Sequence, residues 1–176
     1  MRIIPRERRP GPIARVKFVA SGDERHSWHE SSQRGRFKRV YKITSEYIKP
    51  DALFEWSLKP HHGAVVTFAG TVRDHSDGRR TLRLEYEAYA EMAEAKMREV
   101  GEEIREKWGI EDVAMIHRVG TLEIGEISIL ISVATPHRKN AFEACSYAID
   151  RVKQIVPVWK KEIRADGERE WVERNT

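Results

Sequence analysis

The spacing of hydrophobic and polar positions divides the chain near residue 40. Before that point periodicity is weak: prolines and glycines interrupt the run, and Ser27 to Gln33 is rich in Ser, His and Gln. Only Ile13 to Ala20 has the continuity of a strand, so residues 1–39 are expected to form a loosely attached, flexible extension. From Val40 the pattern becomes regular. Val40 to Ile48 predicts a short strand, and Pro50-Asp51 opens a brief helix through Leu58. Gly63 to Val72 is a compact apolar run suited to a strand buried on both faces. Arg73 to Arg80, containing Asp77-Gly78, reads as a polar loop. Leu82 to Tyr89 alternates, with Leu82, Leu84 and Tyr86 on one face and Arg83, Glu85 and Glu87 on the other.

Glu91 to Trp108 has a helical composition, weakened in its middle by Gly101. Val113 to Val119 and Ile127 to Thr135 predict two strands, joined by a connection holding Gly120 and Gly125. A second long helix is expected from Arg138 to Ile155, stopped by Pro157. Val158 to Arg164 and Glu170 to Glu173 then close a hairpin around Asp166-Gly167. Strands and helices mix without strict βαβ alternation. The expectation is an α+β domain over residues 40–176, with a mixed, largely antiparallel sheet, two main helices and a C-terminal hairpin.

Composition narrows the function classes. The 176 residues are 40% hydrophobic and 34% charged, enough for one domain with a real core. No run of about 18 uncharged apolar residues exists, which excludes a helical membrane span. The first 20 residues lack the apolar stretch of a secretory signal. Cys145 is the single cysteine, so no internal disulfide and no cysteine cluster for zinc or iron–sulfur can form. A reducing cytoplasm is the expected compartment.

The formal net charge of +4 changes meaning once it is divided. Residues 1–40 carry eleven Lys/Arg against four Asp/Glu, a net of +7, and the other 136 residues carry 21 against 24, a net of −3. The basicity therefore belongs to the extension. A passive extension and a polyanion-binding arm both fit it, and the second makes a nucleic-acid-binding module the rival reading for the whole chain.

Candidate chemistry lies elsewhere. Thr135-Pro-His-Arg-Lys139 leads into the second helix, placing His137 and Arg138 where free N–H groups and the macrodipole already favour anions. A bound phosphate would use that concentration of positive charge; a solvated turn is the other reading. Along the same helix Phe142, Cys145, Ile149 and Val152 form an apolar stripe, and Lys153 falls within it. Such a lysine either snorkels outward or lines a pocket where desolvation suits it to proton transfer. On the following strand Lys160 shares a face with Val158 and Glu162, and Lys161 shares one with Trp159 and Ile163, so only one lysine enters a given site. Arg73 stands at a strand end, a position from which side chains reach clefts. His61, His62, His75 and His117 show no metal-binding spacing and no supporting acid cluster. Glycines occur without a nucleotide-loop pattern.

These residues also carry a resemblance. Gly63-Ala64, Gly70-x-Val72-Arg73, Leu84 to Tyr89, Met92-Ala93, His117 to Gly120 and Ile124 to Glu126 occur in order. Pro136-His137-Arg138, Ala141 to Glu143, Ile149-Asp150, Lys153, Pro157-x-Trp-Lys-x-Glu162, Asp166-Gly167 and Trp171-Val172 follow. In that order and spacing, from Val40 to Glu173, the chain resembles the catalytic (large) subunit family of molybdopterin synthase.

The resemblance implies an α/β hammerhead fold and a homodimer at the core of a heterotetramer. A small ubiquitin-like sulfur-carrier subunit is the implied partner, its C-terminal Gly-Gly thiocarboxylate entering a pocket of the large subunit. The implied reaction transfers two sulfurs to cyclic pyranopterin monophosphate, making the molybdopterin dithiolene in molybdenum cofactor biosynthesis. No cofactor or resident metal is implied. The implied substrate-binding positions are Thr71, Val72, Arg73, His137, Arg138, Lys153, Lys160, Lys161 and Glu162, with Lys153, Lys160 and Arg73 catalytic. Because Arg138 and Lys153 are 15 residues apart on one predicted helix, about 22 Å, a small substrate cannot touch both in one chain. A pocket shared between two copies is therefore expected.

Overall fold

The computed structural model describes residues 40–172, so the strand expected at Ile13–Ala20 and the end of the C-terminal hairpin lie outside the described residues. The first sheet is built outward from β7 (Ile127–Thr135), whose side chains are buried on both faces along nearly the whole strand. Its neighbours are β5 (Asp112–Arg118) and β2 (Ala64–Thr71), both antiparallel to it, and β1 (Val40–Thr44) pairs parallel with β5 at the far edge.

Two long helices, α2 (Ala90–Trp108) and α3 (Arg138–Ile155), cover one face of this sheet. Met97, Val100 and Ile104 of α2 and Ala144, Ala148 and Val152 of α3 pack on Met115, Ile129, Ile131 and Val133. A short helix, α1 (Pro50–Ser57), covers the other face with Leu53, against Ala114 and Leu130. Ser132 sits within that second layer, and its hydroxyl is satisfied at 2.7 Å by Ser57, which donates to the Leu53 carbonyl.

The second sheet holds the remaining strands in the order β3 (His75–Ser76), β4 (Arg79–Ala88), β8 (Val158–Arg164) and β9 (Arg169–Val172), with β6 (Gly120–Glu123) also paired to β4. All of its pairings are antiparallel. Val72, Leu84, Leu122 and Tyr86 form a small apolar centre beneath it. The α+β class and the largely antiparallel pairing are as expected, distributed over two sheets.

Several expectations change. Gly63–Val72 is not buried on both faces: β2 is an edge strand of its sheet, with Thr67, Ala69 and Thr71 exposed, and the doubly covered strand is the central β7. Arg73–Arg80 is not all loop. Asp77 and Gly78, both at positive φ (52° and 74°), make a two-residue turn that pairs His75 and Ser76 with Arg80 and Arg79. Leu82 does not share the inward face of Leu84: the register with β8 shifts between Thr81 and Arg83, which buries Thr81 and leaves Leu82 exposed. Gly120–Glu123, expected as a connection, is β6. On α3 the buried stripe is Ala141, Ala144, Cys145, Ala148 and Val152, while Phe142 is 63% exposed. Small side chains let α3 lie close to the sheet, and this turns both Phe142 and Lys153 outward.

Candidate active site

Residues 158–164 follow the Pro157 stop with an alternating strand, so successive side chains of β8 face opposite ways. Cross-strand register places Lys160 opposite Tyr86 and Lys161 opposite Glu85. Lys161 lies 3.8 Å from the Glu85 carboxylate, with its ammonium 4.6 Å from the centre of the Trp171 ring. Lys160 takes the other face, half-buried, within electrostatic reach of Arg73, Lys153, Glu162 and Asp77.

That meeting comes from three elements. Arg73 leaves the end of β2, Lys153 projects from the last turn of α3, and Lys160 stands on β8. Lys153 is exposed at the helix C-terminus, where the macrodipole favours a cation, so its position costs the helix nothing. Burial holds Lys160 below the ordinary lysine value of 10.5; Glu162 and Asp77 oppose the shift, and the positive charges of Arg73 and Lys153 add to it. Two cations around one partly desolvated lysine make a site for an anion, with an ammonium able to release its proton more readily than a free lysine does.

Glu162 points to the same face but is not available in the same way. It is 2% exposed, accepts a hydrogen bond from the Thr81 hydroxyl, and pairs with Arg164 at 3.2 Å. Its negative charge acts on Lys160 at a distance, from an anchored position. Val72 is buried, and its N–H and carbonyl are both taken, by the Glu126 carbonyl and the Gly125 N–H. Thr71 is exposed at the end of β2.

His137 and Arg138 lie at the opposite end of α3 from Lys153. His137 caps the helix without a side-chain hydrogen bond, no acid sits in the first turn, and residues 136–140 are all exposed. Within one chain the predicted residues therefore form two positive groups: Arg73, Lys153 and Lys160 together, His137 and Arg138 apart.

Other titratable groups are shaped for structure. Burial pushes the Cys145 thiol up to about 11 and holds the His117 imidazole down at about 4, where its Nδ1–H donates to the Arg118 carbonyl at 2.8 Å. His117 packs edge-on against Tyr86, whose phenol burial holds above its ordinary value. The absence of an acid beside His61-His62 is corrected by the fold. Asp112, fifty residues on, brings a carboxylate to within 2.9 Å of His62 Nε2 and 3.7 Å of His61 Nε2, and among the described residues this is the one such grouping of three. Lys59 pairs with that same carboxylate. A cation already neutralises Asp112, so the cluster ties β5 to the α1–β2 connection.

Sequence reasoning missed Asp77 and Tyr86 as neighbours of Lys160, and Thr81 and Arg164 as partners of Glu162. Asp77-Gly78 carried a usable signal, since Asp-Gly between strand-like residues favours a tight hairpin. Tyr86 and Thr81 depend on cross-strand register, which no local pattern reveals, whereas Arg164 shares a face of β8 with Glu162 by simple alternation.

Comparison with known proteins gives the chemistry its setting. The family model described as MoaE protein matches residues 43–155. The molybdopterin synthase catalytic subunit of Staphylococcus carnosus is 49% identical over 134 residues, covering 76% of this chain and 89% of that protein. The Bacillus subtilis molybdopterin synthase catalytic subunit is likewise 49% identical, over 75% of this chain and 83% of its own length. The crystal structure of molybdopterin synthase from Staphylococcus aureus superposes with a TM-score of 0.73 at 44% identity, covering 78% of this chain and 99% of that one. With its two sheets, its two covering helices and a match over most of its described length, the chain belongs to the MoaE protein family.

Proposed function

We propose that this chain is the catalytic subunit of a molybdopterin synthase, which moves sulfur from a carrier's C-terminal thiocarboxylate onto cyclic pyranopterin monophosphate to form the dithiolene. The observation that carries the reading is the convergence of Arg73, Lys153 and Lys160 from three separate elements, in a family whose relatives bear that name. Both reactants are anions, one a phosphate and the other a thiocarboxylate. Arg73 offers a planar pair of donors to a phosphate, and the two ammonium groups stabilise negative charge as carbon–oxygen bonds give way to carbon–sulfur bonds. Lys160, held below the ordinary lysine value, is the group best suited to give and recover a proton. Lys153, exposed and beside it, faces the incoming substrate. The sulfur arrives on the carrier, so the buried Cys145 has no part in the transfer.

The active assembly is a homodimer with a small sulfur carrier on each protomer, working in the cytoplasm. Each pocket combines Arg73, Lys153 and Lys160 of one protomer with His137 and Arg138 of the partner subunit. The length of α3 supports this: it separates Arg138 and Lys153 by about 22 Å. The two positive groups of one chain then serve two different pockets.

The direct test mixes the protein with a thiocarboxylated carrier and cyclic pyranopterin monophosphate and measures molybdopterin. Turnover that depends on both reactants supports the assignment; no product with an active carrier would overturn it. A chain shortened to begin at Val40 is expected to retain sulfur transfer, because the match to the family lies within residues 43–155.

A further inference from the structure

Arg164 is a guanidinium 4% exposed to solvent, at the end of β8, four residues beyond Lys160. Burying a full charge is costly unless its partners are in place, so the partners indicate what the charge is for. Its Nη2 pairs with the Glu162 carboxylate at 3.2 Å and with Glu170 of β9 at 3.5 Å. Its Nη1 donates to the Ser76 carbonyl at 3.2 Å. Ser76 belongs to the segment between β2 and β4 that carries Arg73 at one end and Asp77 at the other. The Thr81 hydroxyl donates to the other oxygen of Glu162, and the Thr81 N–H donates to the Asp74 carbonyl at 2.8 Å. The buried pair is thus joined to this segment at two points, through Ser76 and through Asp74.

The segment needs such a tie. Arg73 stands near Lys160 and Lys153, and their mutual repulsion favours its swinging away when no anion is bound. Its own backbone is fastened by the short β3–β4 pairing, the Thr81–Asp74 hydrogen bond and the Val72 contacts with Gly125 and Glu126, none of which reaches the Arg73 side chain. We propose that Arg164 is a positioning residue: its buried guanidinium, seated on Glu162, pins the Arg73–Asp77 segment against β8 and so holds Arg73 at working distance from Lys160. Glu162 is the seat, its negative charge offsetting both Arg164 and Lys160. The inference rests on the Lys160 centre proposed above and adds a residue that touches neither reactant.

A double-mutant cycle with Arg73 tests it, using the complete chain with thiocarboxylated carrier and cyclic pyranopterin monophosphate. Arg164→Lys keeps a charge on Glu162 but loses the fork that reaches Ser76. We expect KM for the pterin to rise on the order of tenfold, with kcat changed far less and the melting temperature close to wild type. Arg164→Gln, which keeps one donor and removes the charge, is expected to raise KM in the same direction. In an Arg73→Ala background, Arg164→Lys should have no further effect on KM, because the group it positions is gone. Additive losses in the cycle overturn the proposal, as does an unchanged KM in both single variants. If neither variant folds, Arg164 is a core residue and the positioning role is refuted. Failure of the underlying reading has a different signature: wild-type protein without pterin-dependent turnover, or Arg73→Ala with an unaltered KM.

Discussion

Lys160 and Lys161 are adjacent on β8 and serve opposite faces of its sheet: Lys160 faces Arg73 and Lys153, while Lys161 faces Glu85 and the Trp171 ring. The two substitutions should therefore separate sharply. Lys160→Ala is expected to lower kcat about a hundredfold or more, the usual scale for a lost proton-transfer group. Lys161→Ala should cost no more than a few fold, since its contacts are a surface ion pair and a cation–π contact. Comparable losses from the two would place the reacting centre elsewhere.

The pH profile follows from the same cluster. In the proposed reaction Lys160 serves as an acid only while protonated, and burial together with the charges of Arg73 and Lys153 holds it below 10.5. Activity should therefore fall on an alkaline limb lying below that value. Arg73→Gln removes one repelling charge, so the proton is held more tightly and the limb moves to higher pH. A limb that stays in place, or moves down, contradicts the electrostatic coupling of these two residues.

The proposed sharing of each pocket between two protomers has a clean genetic test. Arg138→Ala and Lys153→Ala homodimers should each be nearly inactive. A mixed dimer carrying one of each contains one pocket with both defects and one with neither, so about half of wild-type turnover should return. No recovery in purified mixed dimers would mean that the two groups serve the same pocket or none.

Gly101 is buried in the middle of α2, where an alanine would ordinarily strengthen a helix by about 1 kcal/mol. An added Cβ would lie 1.8 Å from the Tyr41 hydroxyl oxygen and 2.5 Å from the ring carbon bearing it. Overpacking at that contact between α2 and β1 outweighs the propensity gain. Gly101→Ala should destabilise the fold by about 1–3 kcal/mol in denaturant unfolding, and a more stable variant would show that Tyr41 moves aside freely.

Acid stability depends in part on a bridge between α2 and α3. Arg151 donates two hydrogen bonds to Glu103, at 2.7 and 2.8 Å, and the Tyr147 hydroxyl donates a third at 2.6 Å. Chiefly through the Arg151 hydrogen bonds, Glu103 is held down at about 2, against 4.5 for a free glutamate. A carboxylate depressed in the folded state contributes stability that is complete above 4.5 and is lost as pH falls towards 2. Glu103→Gln should lower stability at neutral pH by about 1 kcal/mol and flatten its slope across that window. An unchanged slope would mean that the bridge does not persist in solution.

The sequence by itself determined the elements, the residue types and the kinship. Alternation and helical spacing are local properties, so α2, α3 and most strands stand where their patterns put them, and the order of short motifs identifies the family. The same alternation showed that Lys160 and Lys161 diverge. It could not show which of them meets Arg73, because that depends on pairing between β4 and β8, whose paired residues are seventy or more positions apart. The tertiary structure alone decided that β2 is an edge and β7 the covered centre, that small alanines turn Phe142 and Lys153 outward, and that Asp112 joins His62. Only the folded chain places Arg164 beneath the Arg73 segment. Each of these rests on a long-range register or on the packing of one layer against another, and a linear pattern of polar and apolar residues carries neither.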